Sequence, residues 1–422
     1  MDARLLDALG RAYGLPEPSS DDIVRVGPGT PGGELLRRYW QPIALSSDAT
    51  DLPKEIRRFG EDLILFRNKK GEPGLLYPRC VHRGTSLFYG RVEEDGIRCC
   101  YHGWKFGNQG QCLDQPCEPE RGRNKERLRQ PWYPVVEKHG AIWAYMGPSE
   151  KQPLFPAFSI FEDLGEDEEV TAIDYGPTEN FAPYPFDYNW FQAWDNVTDH
   201  YHQVWLHLLH SGSQFAGFAD RLTGALPDVS EFKVSEEGNA VLAVTKRKFD
   251  DTGDLWARIE EAVLPNFMAL PTTYANGPCH VLTFYIAWDD TTFSQIAVLR
   301  KKKAEDNPLA PLLALASSKS ADGSAELDPN RKRWRDKTPE ERQRFPHDYD
   351  AQSGQGKITY HSEEHLVTSD QGVSMQRRLF KQQCDIVAKG GDPIGVAFRE
   401  EDRRVAIHAT WWFEKAKGKE IA

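Results

Sequence analysis

The sequence predicts an α+β protein. A small antiparallel β domain lies near the N-terminus, and a larger domain combining an antiparallel sheet with long helices follows it. Three observations support this. Over residues 38–150, short apolar segments (Leu63–Phe66, Gly74–Tyr77, Ala141–Met146) alternate with Gly, Pro and Asp turns, the signature of short paired strands. Two later stretches, 190–210 and Glu363–Lys389, carry few turn residues and read as helices. Between them a strand pattern returns over about 230–300, as in Ala240–Thr245 and His280–Trp288. The 422 residues suffice for two or three domains.

Taken in order, residues 1–37 form an N-terminal helical segment. Leu5, Leu6, Leu9 and Tyr13 recur at helical spacing, and Gly14-Leu15-Pro16 stops the run. Residues 38–150 form the small β domain and 151–422 the large one. The acidic, Pro-containing stretch 151–180 reads as a linker. Residues 300–347, with Arg300-Lys301-Lys302-Lys303, a Ser/Ala/Asp-rich run and Arg331-Lys332-Arg333, read as a solvated insertion in the large domain rather than an anion-binding site. A strand at Arg404–Trp412 closes the chain, and no internal repeat is visible.

A formal charge of −12 argues against a general nucleic-acid binder. The 12 Trp, 15 Tyr and 21 Phe exclude a disordered chain and supply material for a core and an apolar pocket. The longest apolar stretch, Pro308 to Ala316, is too short to span a bilayer. The start, Met1-Asp2-Ala3-Arg4, shows no secretory pattern, so a soluble, cytoplasmic protein with no membrane partner is expected. Seven cysteines, an odd number, make a disulfide framework a poor explanation. Five of them fall between Cys80 and Cys117, which points to metal or redox chemistry.

The most informative segment is Cys80-Val81-His82, sixteen residues, then Cys99-Cys100-Tyr101-His102. Each half can aim one thiolate and one imidazole at a common point. Two thiolates can hold one iron of a [2Fe–2S] cluster and two imidazoles the other, which raises the reduction potential. Cys80 and Cys99 would take one iron, His82 and His102 the other. A Cys2His2 zinc site is the competing reading. Zinc sites usually pair like with like in each half, whereas here Cys is paired with His twice. The flanking Gly84 and Gly103 permit the close backbone approach that a cluster needs. The register selects Cys99 over Cys100, which is left as a buried small hydrophobe. Cys112 and Cys117 have no matching second pair and read as core or loop thiols.

A second constellation lies at Asp195-Asn196-Val197-Thr198-Asp199-His200-Tyr201-His202-Gln203-Val204-Trp205-Leu206-His207. Two histidines and one carboxylate on one face of ferrous iron leave positions open for O2 and water. His200, His202, His207 and His210 compete for the role. On an ideal helix His202 and His207 stand roughly 140° apart, so spacing alone does not choose them. A π-bulge would bring them together. The third ligand should be a distant carboxylate, with Asp348, Asp350 and Glu363 as candidates.

These residues carry a resemblance. The run from Cys80 through Trp104 resembles the cluster motif of Rieske proteins. Gly29-Thr30-Pro31 through Arg38-Tyr39-Trp40, and Gly60-Glu61-Asp62-Leu63, resemble the phthalate dioxygenase-type branch of Rieske non-haem iron oxygenases. The stretch Asp199-x2-His202-x4-His207 resembles that family's D-x2-H-x4-H motif, and the segment from Asp348 to Ile358 resembles its D-x2-A-x3-Q-G-x-I segment. The resemblance implies a Rieske domain followed by a helix-grip-like catalytic domain. It implies one [2Fe–2S] cluster on Cys80, His82, Cys99 and His102, and one mononuclear Fe(II) on His202, His207 and Asp348, with Asp350 in reserve. His200 and His210 are left to packing or surface hydrogen bonding. Asp199 would accept a hydrogen bond from His202 and carry electrons from His102 of a neighbouring subunit.

It implies further that a separate reductase, directly or through a ferredoxin, supplies electrons from NAD(P)H, since no reductase motif is present. The catalytic set is then Asp199, His202, His207 and Asp348, acting with O2 on an aromatic substrate in a homotrimer. The Asp195-Asn196-x2-Asp199 spacing resembles that of O-demethylating members, which favours a methoxylated, lignin-derived aromatic acid over ring dihydroxylation. His361 stands where the family usually has an arginine. Phe191, Trp194, Phe267 and Tyr285 are pocket candidates by position. An electron carrier or a zinc-stabilised interaction module are the readings from other classes.

Overall fold

The computed structural model describes residues 19–123, 125–174, 182–212, 226–248, 253–271, 277–304, 332 and 334–414. The helix expected within residues 1–18 and most of the expected insertion, including Pro308–Ala316, lie outside these residues.

The first part is built from three small antiparallel sheets. One pairs Gln41–Leu45 and Val135–Lys138 with Ala141–Ala144. A second runs Lys54–Arg58, Glu61–Arg67, Pro73–Leu76, Trp132–Tyr133. The third runs Arg91–Glu93, Gly96–Arg98, Lys105–Phe106, Cys112–Asp114. The strand Glu61–Arg67 is buried on both faces, and its alternation separates two cores. Ile64 and Phe66 pack with Cys80, Cys99 and Trp104. Leu63 and Leu65 pack in the cluster that contains Trp190, Trp194 and Phe380 of the second part.

The second part centres on a nine-stranded sheet in the order Glu168–Asp174, Thr292–Lys302, Val281–Asp289, Phe267–Ala269, Leu255–Val263, Ala240–Lys248, Val229–Val234. Thr410–Glu414 adds to Leu255–Val263 and also pairs with Gly277–Pro278. All these pairings are antiparallel. The long helix Gln371–Ala388 buries Val373, Leu379, Phe380 and Cys384 against this assembly.

Four expectations need correction. The stretch 151–180 is not simply a linker, because Glu168–Asp174 forms an edge strand of the large sheet. Residues 190–210 are not one helix. They break into an α-helix at Trp190–Asp195, a 3-10 turn at Asn196–Thr198, a short α-helix at Tyr201–Val204 and a π-helix at Trp205–His210. The last long helix begins at Gln371, because the Asp370 carboxylate accepts the Val367 N–H at 2.7 Å and closes a turn there instead. The closing strand is two pieces, Arg404–Val405 and Thr410–Glu414.

Candidate active site with two metal centres

The first centre lies on two loops closed by the same hydrogen bonds. Cys80 N–H donates to the Thr85 carbonyl at 2.9 Å, and Gly84 N–H donates back to the Cys80 carbonyl at 2.8 Å. Cys99 N–H donates to the Trp104 carbonyl at 2.8 Å, and Gly103 N–H donates back to the Cys99 carbonyl at 3.1 Å. Each loop is a tight reversal that requires a left-handed residue at its fifth position, and Gly84 (φ +78°) and Gly103 (φ +71°) supply it. A side chain on Gly103 would also meet Pro116 at 2.6 Å. Gln130 fixes the first loop, accepting from Val81 N–H at 2.9 Å and donating to the Tyr77 and Arg79 carbonyls at 2.8 Å. Arg98 fixes the second through the Gly103 carbonyl at 2.6 Å and Asp114 at 2.9 Å.

Both thiols are buried, and both imidazoles are partly exposed, their rings 4.6 Å apart. His82 stacks on Trp104 at 4.4 Å. Burial pushes the Cys80 thiol up to about 12, opposed by the His82 and Arg83 backbone N–H groups that point at its sulfur. The donor geometry bears on the choice of metal. Ligands of one tetrahedral zinc stand about 3.3–3.8 Å apart, given bonds of ~2.0–2.3 Å. Among the described residues, no three of these four bring their ligand atoms within 4.8 Å of one another. An inner thiol pair and an outer imidazole pair, spread too widely for one ion, fit a two-iron cluster.

Cys100 is exposed, not buried as expected. Cys112 is buried and Cys117 exposed, so they do not form a second half-site.

The second centre is tighter: one ligand atom from each of His202, His207 and Asp348 lies within 4.8 Å of the others. Asp348 Oδ1 lies 3.5 Å from His202 Nε2 and 3.3 Å from His207 Nε2. Wider π turns bring the two histidines, five residues apart, to ring centroids 5.4 Å apart. Asp348 opens the helix Asp348–Ser353. Burial raises its carboxyl, but the two imidazoles outweigh that and hold it well below the usual range.

Asp350, the reserve ligand, caps instead. It accepts His347 N–H at 2.9 Å and Trp334 Nε1–H at 3.1 Å. Glu363 is exposed. His200 is buried, meets Ser230 Oγ at 2.7 Å and stacks on Phe232. His210 is exposed.

Asp199 reaches His202 differently from the expectation. The ring Nδ1 contacts the Asp199 backbone carbonyl, and the carboxylate stands 3.7 Å away, partly exposed. Sequence reasoning missed Asn196 as a contact. Its Nδ2 lies 3.2 Å from His202 Nε2 and 3.5 Å from Asp348 Oδ1. Its position within Asp195-Asn196-x2-Asp199 was the available signal. The four pocket candidates are all buried: Phe191 and Trp194 pack on Phe380, Trp194 Nε1–H donates to the Phe267 carbonyl at 3.2 Å, Phe267 lines a cavity with Trp40, Phe158 and Phe284, and Tyr285 is 3 % exposed. His361 Nδ1 accepts Asp21 N–H at 3.1 Å and so ties down the chain entering the first domain.

Two centres of this kind on one chain define a Rieske-type oxygenase, and comparison with known proteins agrees. Residues 39–134 match the Rieske [2Fe-2S] domain. The chain is 44% identical over 409 residues to the phenoxybenzoate dioxygenase subunit alpha of Ectopseudomonas oleovorans, covering 95% of this chain and 93% of that one. It is 36% identical to the tert-butanol monooxygenase / tert-amyl alcohol desaturase oxygenase subunit of Aquincola tertiaricarbonis (89% and 78% covered). It is 30% identical to the 5,5'-dehydrodivanillate O-demethylase oxygenase subunit of a Sphingobium species (90% and 82% covered). The chain belongs to the Rieske non-haem iron oxygenases, as an oxygenase alpha subunit. It therefore uses a [2Fe–2S] cluster and non-haem iron, with electrons from a reductase.

Proposed function

We propose that this chain is the terminal oxygenase acting on an aromatic acid that carries a methoxy or related ether group, and that its reaction is O-demethylation. The observation that carries the reading is the triad of His202, His207 and Asp348, a 2-His-1-carboxylate set on one side of a common point. Cys80 and Cys99, with His82 and His102, would hold the cluster. When bound, the iron supplies O2 activation with electrons relayed from the cluster. The chain's own residues do the rest. The Asp199 carbonyl accepts from His202 Nδ1–H and so turns the ring's Nε2 towards Asp348. The buried Trp190, Phe191 and Trp194 pack on Phe380 and fix the helix that leads into Asn196.

The balance is ArOCH3 + O2 + NADH + H+ giving ArOH + HCHO + H2O + NAD+. The dehydrodivanillate relative and the Asp195-Asn196-x2-Asp199 spacing support demethylation. The phenoxybenzoate relative, named a dioxygenase, favours a second reading, cis-dihydroxylation of the ring. Exposed apolar side chains flank both centres, Val81, Tyr89 and Tyr101 at the first and Trp205 and Leu209 at the second. They support a head-to-tail homotrimer in which Asp199 of one subunit meets His102 of the next. Among the described residues no helix is long and apolar enough to cross a membrane.

The test is a panel of aromatic acids and neutral alcohols with a matched reductase, scoring formaldehyde and dihydrodiol. Formaldehyde from a methoxyarene supports demethylation, and dihydrodiol alone selects the second reading. Turnover of the neutral alcohols only would refute both. Iron analysis should give three irons per chain.

A further inference from the structure

Directly beneath the helix that carries His202, the large sheet presents an unusual set of buried polar side chains. Trp256, Arg258 and Glu260 alternate on Leu255–Val263 and so share one face. Arg247 of the adjacent strand stands opposite Trp256, and Thr245 opposite Arg258. Arg247, Trp256 and Glu260 are at most 1 % exposed and Arg258 is 6 % exposed. The patch touches the candidate site through one residue. Gln203, next in sequence to His202, donates to Glu260 Oε1 at 3.0 Å and accepts from Arg258 Nη1 at 3.4 Å.

Burying this much charge is costly, and charges taken from water are normally fully paired. Here they are not. Arg258 meets Glu260 through Nη1 at 2.6 Å, while Arg258 Nε, Trp256 Nε1 and Glu260 Oε2 find no hydrogen-bond partner among the described residues. Arg247 and Arg258 both stand over the Trp256 ring, at 5.3 and 6.0 Å. Two guanidinium groups therefore share one indole and sit beside one carboxylate. The local potential is positive. Burial alone would raise the Glu260 carboxyl, yet the charge of Arg258, the Gln203 amide, His200 and Arg247 together lower it. Two N–H donors left over near a cation, in a positive and water-poor place, are what a ligand carboxylate requires.

We propose that Arg258, with the Trp256 indole N–H and the charge of Arg247, binds the carboxylate of the aromatic substrate. This rests on the aromatic-acid reading above. The carboxylate accepts from Arg258 Nε–H and Trp256 Nε1–H, and the ring extends past Gln203 towards His202. Glu260 sets selectivity by repelling ligands whose anionic group does not reach both donors.

The test uses the fully loaded holoenzyme and two probes, phenoxybenzoate and phenoxybenzamide, with equilibrium binding read anaerobically by calorimetry. Wild-type enzyme should bind the acid more tightly than the amide. Arg258→Gln should weaken the acid by about 30-fold or more, as for a buried charge-assisted pair, and change the amide less than about threefold. Arg258→Lys should recover part of the loss. Equal weakening of acid and amide, or none, overturns the anchor. If Arg258→Gln fails to fold, judged by cluster absorbance and circular dichroism, Trp256→Phe removes only the N–H. It should weaken the acid about fivefold and leave the amide unchanged, and an equal effect on both overturns the anchor. Wild-type enzyme that binds neither probe but oxidises a neutral alcohol refutes the aromatic-acid reading and the anchor with it. Acid binding by wild type that survives Arg258→Gln refutes the anchor alone.

Discussion

Replacing Arg377 with Met tests how the iron-site helix is held. Arg377, on Gln371–Ala388, donates Nε–H and Nη2–H to Asp195 Oδ2 at 2.8 and 2.6 Å, and Nη2–H also reaches Glu364 Oε1 at 3.0 Å. Asp195 ends the helix Trp190–Asp195 and precedes Asn196, which touches His202. Burial raises Asp195 to about 6 even against the Arg377 charge, and its Oδ1 is buried without a partner among the described residues. Removing the guanidinium leaves that carboxylate buried and uncompensated, which costs about 3–5 kcal/mol.

The sign follows from linkage. A carboxyl raised in the folded state carries no penalty below its unfolded value and the full penalty above its folded one. In Arg377→Met the folded value rises further, so Asp195 is neutral at pH 5.5 and forced to ionise or distort at pH 8. For a domain of this size each kcal/mol is worth about 2–4 °C, so the melting midpoint should fall by about 6–20 °C at pH 8. At pH 5.5 the fall should be clearly smaller, and the double variant Asp195→Asn/Arg377→Met should recover more than half of it at pH 8. Melting followed by far-ultraviolet circular dichroism at the two pH values, with cluster content checked, measures this. A fall below about 3 °C at pH 8, or one of equal size at both pH values, would refute the reasoning.

Three further outcomes are expected. Asp348→Ala should keep the visible absorption of the cluster, lower the iron count by one per chain, and cut turnover by at least about 100-fold, measured by iron analysis and oxygen uptake. Gly372→Ala should destabilise by about 1–3 kcal/mol, because the new Cβ meets Phe232 at 2.5 Å and the Thr198 carbonyl at 2.7 Å, and a lowered melting midpoint would report it. His139, packed on Phe155 and Phe161, is lowered to about 4 by burial and then by Lys138. Its stabilising contribution is therefore complete above 6.5 and lost as pH falls through about 4. His139→Gln should remove about 1–2 kcal/mol of that acid sensitivity after solvent screening, seen by comparing denaturation at pH 4.5 and 7.5.

The parts legible in the sequence are those whose geometry is local. The cluster loops span six residues each, so cysteine, histidine and glycine spacing carried the whole arrangement. The histidine pair was half legible. The residue types announced a ferrous site, but five-residue spacing fails on an α-helix, and the π turns that rescue it depend on packing far away in sequence. Asp348 became legible only through family likeness, since its partners lie about 140 residues earlier. The misread linker shows the same limit from the other side. Glu168–Asp174 looks like solvated acidic chain because its compensating charges are remote. Across the strand pair Glu168 meets Arg300 and Glu169 meets Lys301 at 2.9 Å. Charges that suggest a loop are here cross-strand partners. The patch at Arg258 was invisible for the same reason, because only strand register puts Arg247, Trp256 and Glu260 together.

Register also constrains how the centres work together. Glu61–Arg67 turns Ile64 and Phe66 into the core behind the cluster loops, and Leu63 and Leu65 into the core behind the histidine helix. Every second residue belongs to a different centre, so the strand cannot slip by one position without burying the wrong side chains on both sides. The strand therefore ties the two parts of the chain together through packing on both of its faces. Trp190 ties its helix to the N-terminal segment as well, donating its indole N–H to the Val24 carbonyl at 3.1 Å, as does the Asn189 side-chain amide at 3.1 Å. With both centres of one chain tied to the same strand, the proposed transfer between subunits depends on which surfaces meet in the proposed trimer. That is why the exposed apolar side chains beside His82 and His207, rather than any mobile segment, are the features on which the proposed trimer stands.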